Sequence, residues 1–213
     1  MNRYLTLTLL LMSLNLNAVT VPCFGEKKEK VENLRALAQN ALEKTLKVLK
    51  DKNREDSVSF GMMDLLGINS SDKVSKAVDL YTSLKDFLAL PSFQCTVTSE
   101  YENYMDGVVI GYIYPDNDHF FIYLTTEFFE LEEEGFQSKL GVLIHEMSHF
   151  HITQSANYFL KQDEVYELHE ALSLARNDPD NAISSASNIQ YFFEALYFEL
   201  WDNDEYKSAK ETL

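Results

Sequence analysis

Positive charge is scarce in this sequence. Its 18 lysines and arginines stand against 34 aspartates and glutamates, which gives a formal net charge of -16 at pH 7. Nucleic-acid binding requires basic side chains that neutralise phosphates, and anionic membrane surfaces likewise attract basic segments. The composition therefore argues against a nucleic-acid partner and against attachment to an anionic membrane.

Cysteine is almost absent, because Cys23 and Cys95 are the only two in the chain. Neither cysteine belongs to a CxxC pair or to a Cys/His cluster, which argues against a structural zinc finger. In an oxidising compartment an even pair of cysteines predicts one disulfide, which would join the N-terminal segment to the middle of the domain. The alternative is that the two thiols are unrelated.

The apolar run near the N-terminus is too short to cross a bilayer. It covers Leu5–Leu16, is interrupted by Thr and Asn, and follows Arg3, whereas a membrane-spanning helix needs about 20 apolar residues. This pattern predicts a signal peptide over residues 1–18, with cleavage as late as residue 20, and a mature domain over 19–213. We therefore expect a secreted protein, extracellular or periplasmic, without a membrane anchor after cleavage. A buried N-terminal helix is the alternative.

The sequence contains enough apolar residues for one folded domain. Hydrophobic residues make up 46% of the 213 residues, which suits a globular protein with its own core. Apolar residues at helical spacing predict amphipathic helices over 29–51 and from 72 to Pro91, with an apolar loop at 62–66. Strands are predicted over 93–98, 107–114 and 119–125, the last two forming a hairpin. The expected fold class is a single α+β domain, mostly helical with a small antiparallel sheet.

The segment Ile144–Phe150 contains the motif H-E-x-x-H, from His145 to His149. On a helix, residues four apart lie one turn apart on the same face, so two imidazoles can bind one metal ion. Glu146 is placed to hold a water that the metal has acidified, which is the zinc-peptidase arrangement. Ser138 is a suitable N-cap for this helix. The alternative is a surface helix that carries these three residues by chance.

The motif supplies two ligands, whereas a catalytic zinc takes three protein ligands and keeps a position for water. A further helical segment is predicted over residues 162–177 and contains several acidic residues that could provide the third ligand. Spacing alone leaves that choice open.

Several stretches of the sequence resemble the deuterolysin-like, or aspzincin, metalloendopeptidases, which include the peptidyl-Lys metalloendopeptidases. These stretches are Ser138–Phe150, Asp163–Tyr166, Ala171–Ala175 and Ser185–Phe192. Members of the family place an Asp downstream of the two His as third zinc ligand, and a Tyr three residues later that supports the transition state. The resemblance implies these roles for Asp163 and Tyr166, which share one face if they lie on a helix.

The chain departs from the family pattern around the third ligand. Leu160-Lys161 replaces the Gly-Thr that precedes the Asp, Glu167 replaces the Gly that follows the Tyr, and the spacer after His149 is longer. Glu170 is the alternative third ligand, in a thermolysin-like arrangement with a Glu on a following helix.

A further departure concerns specificity. Lys-specific relatives carry two acidic residues in an N-A-D-x-Y-E-Y-F segment, and these bind the substrate lysine. Ser187 and Gln190 occupy those positions here. A buried ammonium would have acceptors but no counter-ion, which is costly, so strict Lys preference is expected to be lost. The alternative is that this segment only packs the C-terminal helix.

The resemblance and the motif together imply a secreted zinc metalloendopeptidase that binds one Zn²⁺ per chain and hydrolyses protein or peptide substrates. If one of the predicted strands is an exposed edge beside the helix that carries H-E-x-x-H (the metal helix), an extended peptide could pair with that strand. Aromatic cross-strand packing is the simpler interpretation of the predicted strands. Two other classes are a zinc-binding but inactive secreted module and a metal-free interaction protein. Metal content and cleavage distinguish the three.

Overall fold

The computed structural model describes residues 20–96, 110–113, 120–154 and 165–213. The predicted signal peptide, residues 1–18, lies outside these ranges. Within the part of the chain that is described, no helix combines the length and apolar character needed to cross a membrane.

Three helices form the N-terminal part of the domain: α1 (Gly25–Lys50), α2 (Asp56–Leu66) and α3 (Ser71–Phe87). The first and third confirm the helices predicted from periodicity. The predicted loop at 62–66 is wrong, because it is the second half of α2. Val58, Met62 and Leu65 are buried at helical spacing, and Gly67 ends the helix with a left-handed φ of 61°. The polar residues at the start of α2 concealed its first turn.

A four-stranded sheet lies beside these helices. Its strands are β1 (Thr20–Pro22), β2 (Ser92–Thr96), β3 (Gly111–Ile113) and β4 (Phe121–Leu124), in the order β1-β2-β4-β3. The predicted antiparallel pairing of the last two strands is confirmed. The prediction of a wholly antiparallel sheet is wrong, because β4 inserts between β2 and β3 and runs parallel to β2. Within the described residues β3 therefore occupies one edge of the sheet.

The predicted disulfide between Cys23 and Cys95 is present. Cys23 directly follows β1, Cys95 lies on β2, and these two strands pair antiparallel. The backbone N–H of Cys23 also donates to the carbonyl of Phe93 at 3.2 Å. The bond thus fixes the N-terminal end of the described chain to the sheet.

The C-terminal part is helical around one buried helix. Its elements are α4 (Thr126–Glu130), α5 (Lys139–Gln154), α6 (Leu168–Asn177), α7 (Pro179–Ala182), α8 (Ala186–Tyr197), a 3-10 turn (Leu200–Asp202) and α9 (Asp204–Glu211). Every residue of α8 from Ala186 to Leu196 is buried, as expected of a helix surrounded on all sides. It packs against α1, α2, α5 and α6. The fold class, a mostly helical α+β domain with a small sheet, is confirmed.

Candidate metal centre

Helix α5 carries the H-E-x-x-H motif and begins as the sequence predicted. The side-chain oxygen of Ser138 accepts a hydrogen bond from the backbone N–H of Gly141 at 3.0 Å, which is N-cap geometry. The residues from Leu140 to Ser148 are all buried. The helix is therefore an interior element, and its polar side chains need partners inside the domain.

The two histidines lie one turn apart on α5. Their ring centroids are 4.9 Å apart at an interplanar angle of 75°. His145 is only 8% exposed, and His149 is half-buried. Two adjacent imidazoles at the edge of the interior are a donor set that suits zinc.

Glu146, between the two histidines in the sequence, faces strand β3 across a close contact. A Cβ atom placed on Gly111 would lie 3.2 Å from both Cγ and Oε1 of Glu146. The absence of a side chain at position 111 therefore lets the edge strand approach this carboxylate. Sequence reasoning missed Gly111, although a glycine within a strand often marks a close approach of the backbone.

The proposed third ligand, Asp163, lies outside the described residues. Among those that are described, no group of three His, Cys, Asp or Glu side chains is arranged to hold a metal. The carboxylate of the alternative ligand, Glu170, is instead directed at the N-terminus of its own helix. It accepts hydrogen bonds from the backbone N–H groups of Tyr166 and Glu167, both at 3.2 Å, as part of a capping box.

Tyr166 lies beside the first histidine but outside any helix. Its ring centroid is 6.4 Å from that of His145, with an interplanar angle of 26°, and the residue is 61% exposed. The predicted helical placement over 162–177 is wrong at residues 165–167, because α6 begins only at Leu168, after the capping box. The proximity of Tyr166 to His145 therefore comes from the path of the chain before α6, not from helical spacing.

Ser187 and Gln190, the two positions that the resemblance assigned to substrate binding, lie on α8. They are 2% and 5% exposed. The side-chain nitrogen of Gln190 lies 3.4 Å from a carboxylate oxygen of Glu194, one turn later on the same helix. The amide of Gln190 is thus directed toward a carboxyl group that the sequence analysis did not consider.

Glu194 is a fully buried carboxylate at the start of the metal helix. It accepts hydrogen bonds from the backbone N–H and the hydroxyl of Ser138, both at 2.8 Å, and from the backbone N–H of Gln137 at 3.1 Å. Gly141 makes room for it, since a Cβ there would overlap Oε1. Burial raises the pKa of Glu194 to about 8, against the lowering effect of these hydrogen bonds. A lone acidic residue in an apolar helix was the available signal, because buried carboxylates are rarely without partners.

The sequence and the fold were compared with known proteins. A profile for aspzincin, lysine-specific metallo-endopeptidase, matches residues 63–194. A peptidyl-Lys metalloendopeptidase from Armillaria mellea is 35% identical over 120 residues, 54% of this chain and 32% of that protein. An extracellular protease from Aeromonas hydrophila is 34% identical over 84 residues, 39% of this chain and 22% of that protein. The chain therefore spans about a third or less of the length of these curated relatives.

A solved structure, a zinc peptidase from Grifola frondosa, has the same fold. It superimposes with a TM-score of 0.64 at 26% sequence identity, over 81% of this chain and 97% of that chain. The resemblance drawn from the H-E-x-x-H segment and the stretches after it is therefore confirmed.

The buried carboxylate of Glu194 should make stability depend on pH. Its folded-state pKa of about 8 lies above the ordinary value of 4.5, so between these limits the folded state holds a proton that the unfolded state has released. Stability contributed by this group is therefore lost as pH rises from about 4.5 to about 8. Relative to Glu194→Gln, the wild type should lose on the order of a few kcal/mol across this window.

Urea unfolding of both proteins at a series of pH values, with a chelator present so that metal-linked protons do not contribute, measures this difference. If the free energy of unfolding of the wild type, measured relative to that of Glu194→Gln, stayed constant or increased with pH, a raised pKa at Glu194 would be contradicted.

Proposed function

Because the chain belongs to the aspzincin family of lysine-specific metallo-endopeptidases, we propose that it is a secreted, zinc-dependent endopeptidase with Glu146 as general base. The observation that carries the proposal is the pair of imidazoles on buried helix α5, with the carboxylate that follows the first of them held against an edge strand. This is the placement that metal-assisted hydrolysis requires of its ligands and base.

We propose that His145, His149 and Asp163 hold one zinc ion. The imidazole pair of α5 fits such a site in donor type and spacing, and Glu170 is occupied in capping α6. When bound, zinc supplies a Lewis acid that polarises a carbonyl and lowers the pKa of water toward 7. The assignment of Asp163 as a ligand is based on its match to the position of the family's third ligand.

The chain's own residues supply the proton transfers. Glu146 takes a proton from the attacking water as the new C–O bond forms, and passes it to the amine as the C–N bond breaks. The phenol of Tyr166, beside His145, donates to the oxyanion that develops on the carbonyl. An extended substrate pairs with the edge strand β3, which places its backbone beside Glu146, because Gly111 brings that strand to the carboxylate.

Specificity in this enzyme is proposed to differ from strict lysine preference. Ser187 and Gln190 replace the two acidic residues of Lys-specific relatives, and both are buried on α8 beside α5. Neither side chain carries the charge that would compensate a buried ammonium. The remaining carboxylate nearby, Glu194, has its oxygens directed at the backbone N–H groups of Gln137 and Ser138.

Secretion is supported by three features. The Leu5–Leu16 segment has the pattern of a signal peptide, the Cys23–Cys95 disulfide suits an oxidising compartment, and the Aeromonas hydrophila relative is an extracellular protease. We propose an extracellular or periplasmic location, with cleavage after Ala18 or as late as Thr20.

Zinc content tests the ligand set. Purified wild-type protein should contain about one zinc per chain, and Asp163→Ala should contain much less, because two imidazoles alone bind zinc weakly. Glu170→Ala is the matched control and should retain the metal, since its carboxylate caps α6. Metal analysis by mass spectrometry makes the comparison. Zinc kept in Asp163→Ala but lost in Glu170→Ala would reverse the assignment.

Turnover tests the general base. Glu146→Gln preserves the shape of the side chain but cannot take a proton, so hydrolysis of an unfolded protein should fall at least about 100-fold while zinc stays bound. Activity equal to that of the wild type would refute this role. A wild type that binds zinc but cleaves nothing would indicate an inactive zinc module. If the wild type contained no zinc and its unfolding temperature did not change when a chelator was added, the protein would be a metal-free interaction protein.

Cleavage mapping tests the specificity. Peptides released from a denatured protein should show several residue types on both sides of the cut bond, because positions 187 and 190 carry no charge. Mass spectrometry of the new termini measures this distribution. Cleavage confined to bonds next to lysine would contradict the proposed loss of strict Lys preference.

A further inference from the structure

A second tyrosine contacts the backbone of Tyr166. Tyr191 lies on α8 and is only 1% exposed, and its hydroxyl donates a hydrogen bond to the carbonyl oxygen of Tyr166 at 2.5 Å. Burial raises the pKa of the Tyr191 phenol, so this donor stays protonated. The contact joins the central helix of the domain to the segment that carries the phenol beside His145.

The donor is itself held in place from its other side. The side-chain nitrogen of Gln137 donates to the oxygen of Tyr191 at 3.1 Å, and the backbone N–H of Gln137 donates to Glu194 at 3.1 Å. Gln137 has a positive φ of 56°, so this turn before α5 adopts a backbone conformation that needs support from its surroundings. Two hydrogen bonds thus connect the start of the metal helix to Tyr166. Gln137 donates to the hydroxyl of Tyr191, and that hydroxyl donates to the carbonyl of Tyr166.

Tyr166 depends on such anchors because it lies outside regular structure. Its backbone N–H donates to Glu170 and its carbonyl accepts from Tyr191, so the two ends of the residue are fixed by different helices. The residue is 61% exposed, and its ring lies beside that of His145. A side chain that must meet a developing charge needs its position set in advance, and here the backbone contacts contribute to that.

We infer that Tyr191 is a positioning residue for catalysis, which acts by fixing the backbone of Tyr166 and hence the placement of its phenol beside His145. The inference rests on the proposed function, because it gives Tyr166 the role of oxyanion donor. Tyr191 is not proposed to contact the reacting atoms, because its hydroxyl donates its hydrogen bond to the Tyr166 carbonyl.

The first test removes only the hydroxyl. Tyr191→Phe keeps the ring, which packs edge-on against Phe136 at 5.8 Å, and deletes the hydrogen bond to Tyr166. We expect kcat to fall by about 10- to 100-fold, as for a small misplacement of a catalytic group. KM should change by less than about twofold, and zinc content should be unchanged, because all three proposed ligands, His145, His149 and Asp163, keep their side chains.

The matched control is Tyr206→Phe. Tyr206 is also buried and packs on the same Phe136 ring, at 6.3 Å, but its hydroxyl donates to Asp64 on α2. Its loss should leave kcat and KM near wild-type values. Equal losses of kcat in the two variants would mean that the effect is general destabilisation of the aromatic cluster, and would overturn the inference.

A double variant shows whether Tyr191 acts through Tyr166. If it does, adding Tyr191→Phe to Tyr166→Phe should lower kcat by less than about twofold beyond Tyr166→Phe alone, because the phenol to be positioned is already gone. Losses that multiply instead would show that Tyr191 acts independently of Tyr166 and would overturn the inference.

Hydrogen exchange separates this inference from the proposed function. In chelated protein, amide exchange in peptides that cover residues 165–170 should be faster in Tyr191→Phe than in wild type or Tyr206→Phe, because an anchor of that segment has been removed. Unchanged exchange would overturn the anchoring. A wild type that does not cleave peptides would refute the proposed function, whereas the exchange rates would still decide whether Tyr191 fixes Tyr166.

Discussion

The position of the metal helix depends on one buried carboxylate. Glu194, on central helix α8, accepts hydrogen bonds from two backbone N–H groups and a hydroxyl at the start of α5. Gly141 allows this contact and lies four residues before His145, hence on the same face of the helix. The contact therefore fixes both the height and the rotation of α5, and with them the directions of the two imidazoles.

The approach of strand β3 to the site depends on a second glycine. Gly111 lets the edge strand β3 approach the carboxylate of Glu146. The strand is held there by β4, with Tyr112 and Tyr123 stacked across the pair at 4.8 Å. Strand β4 also pairs with β2, and the disulfide fixes the N-terminal segment to β2. The whole sheet therefore supports the position of β3 beside Glu146. The helix that carries H-E-x-x-H thus packs on α8 and also contacts strand β3.

Features with a local cause were predictable from the sequence. The metal helix, its N-cap at Ser138 and the strands β2, β3 and β4 each follow from a pattern within a few residues. Features set by tertiary contacts were not. The insertion of β4 beside β2, the path of Tyr166 outside α6 and the role of Glu194 each depend on segments that are distant in sequence. The assignment of Tyr166 to a helix failed because Glu167 and Glu170 form a capping box that starts α6 later.

The positions proposed to set specificity and the contact that positions α5 lie on the same helix, α8. Ser187, Gln190 and Glu194 follow one another at helical spacing, and the amide nitrogen of Gln190 lies near the carboxylate that holds α5. A carboxylate at position 190 would place a second buried acidic group one turn from Glu194, whose pKa burial already raises to about 8, and the two could not both ionise without a loss of stability. The neutral residue at 190 therefore suits the structural role of Glu194. Helix α8 thus carries both the positions proposed to select the substrate side chain and the carboxyl group that positions α5, so a charge introduced for one purpose affects the other.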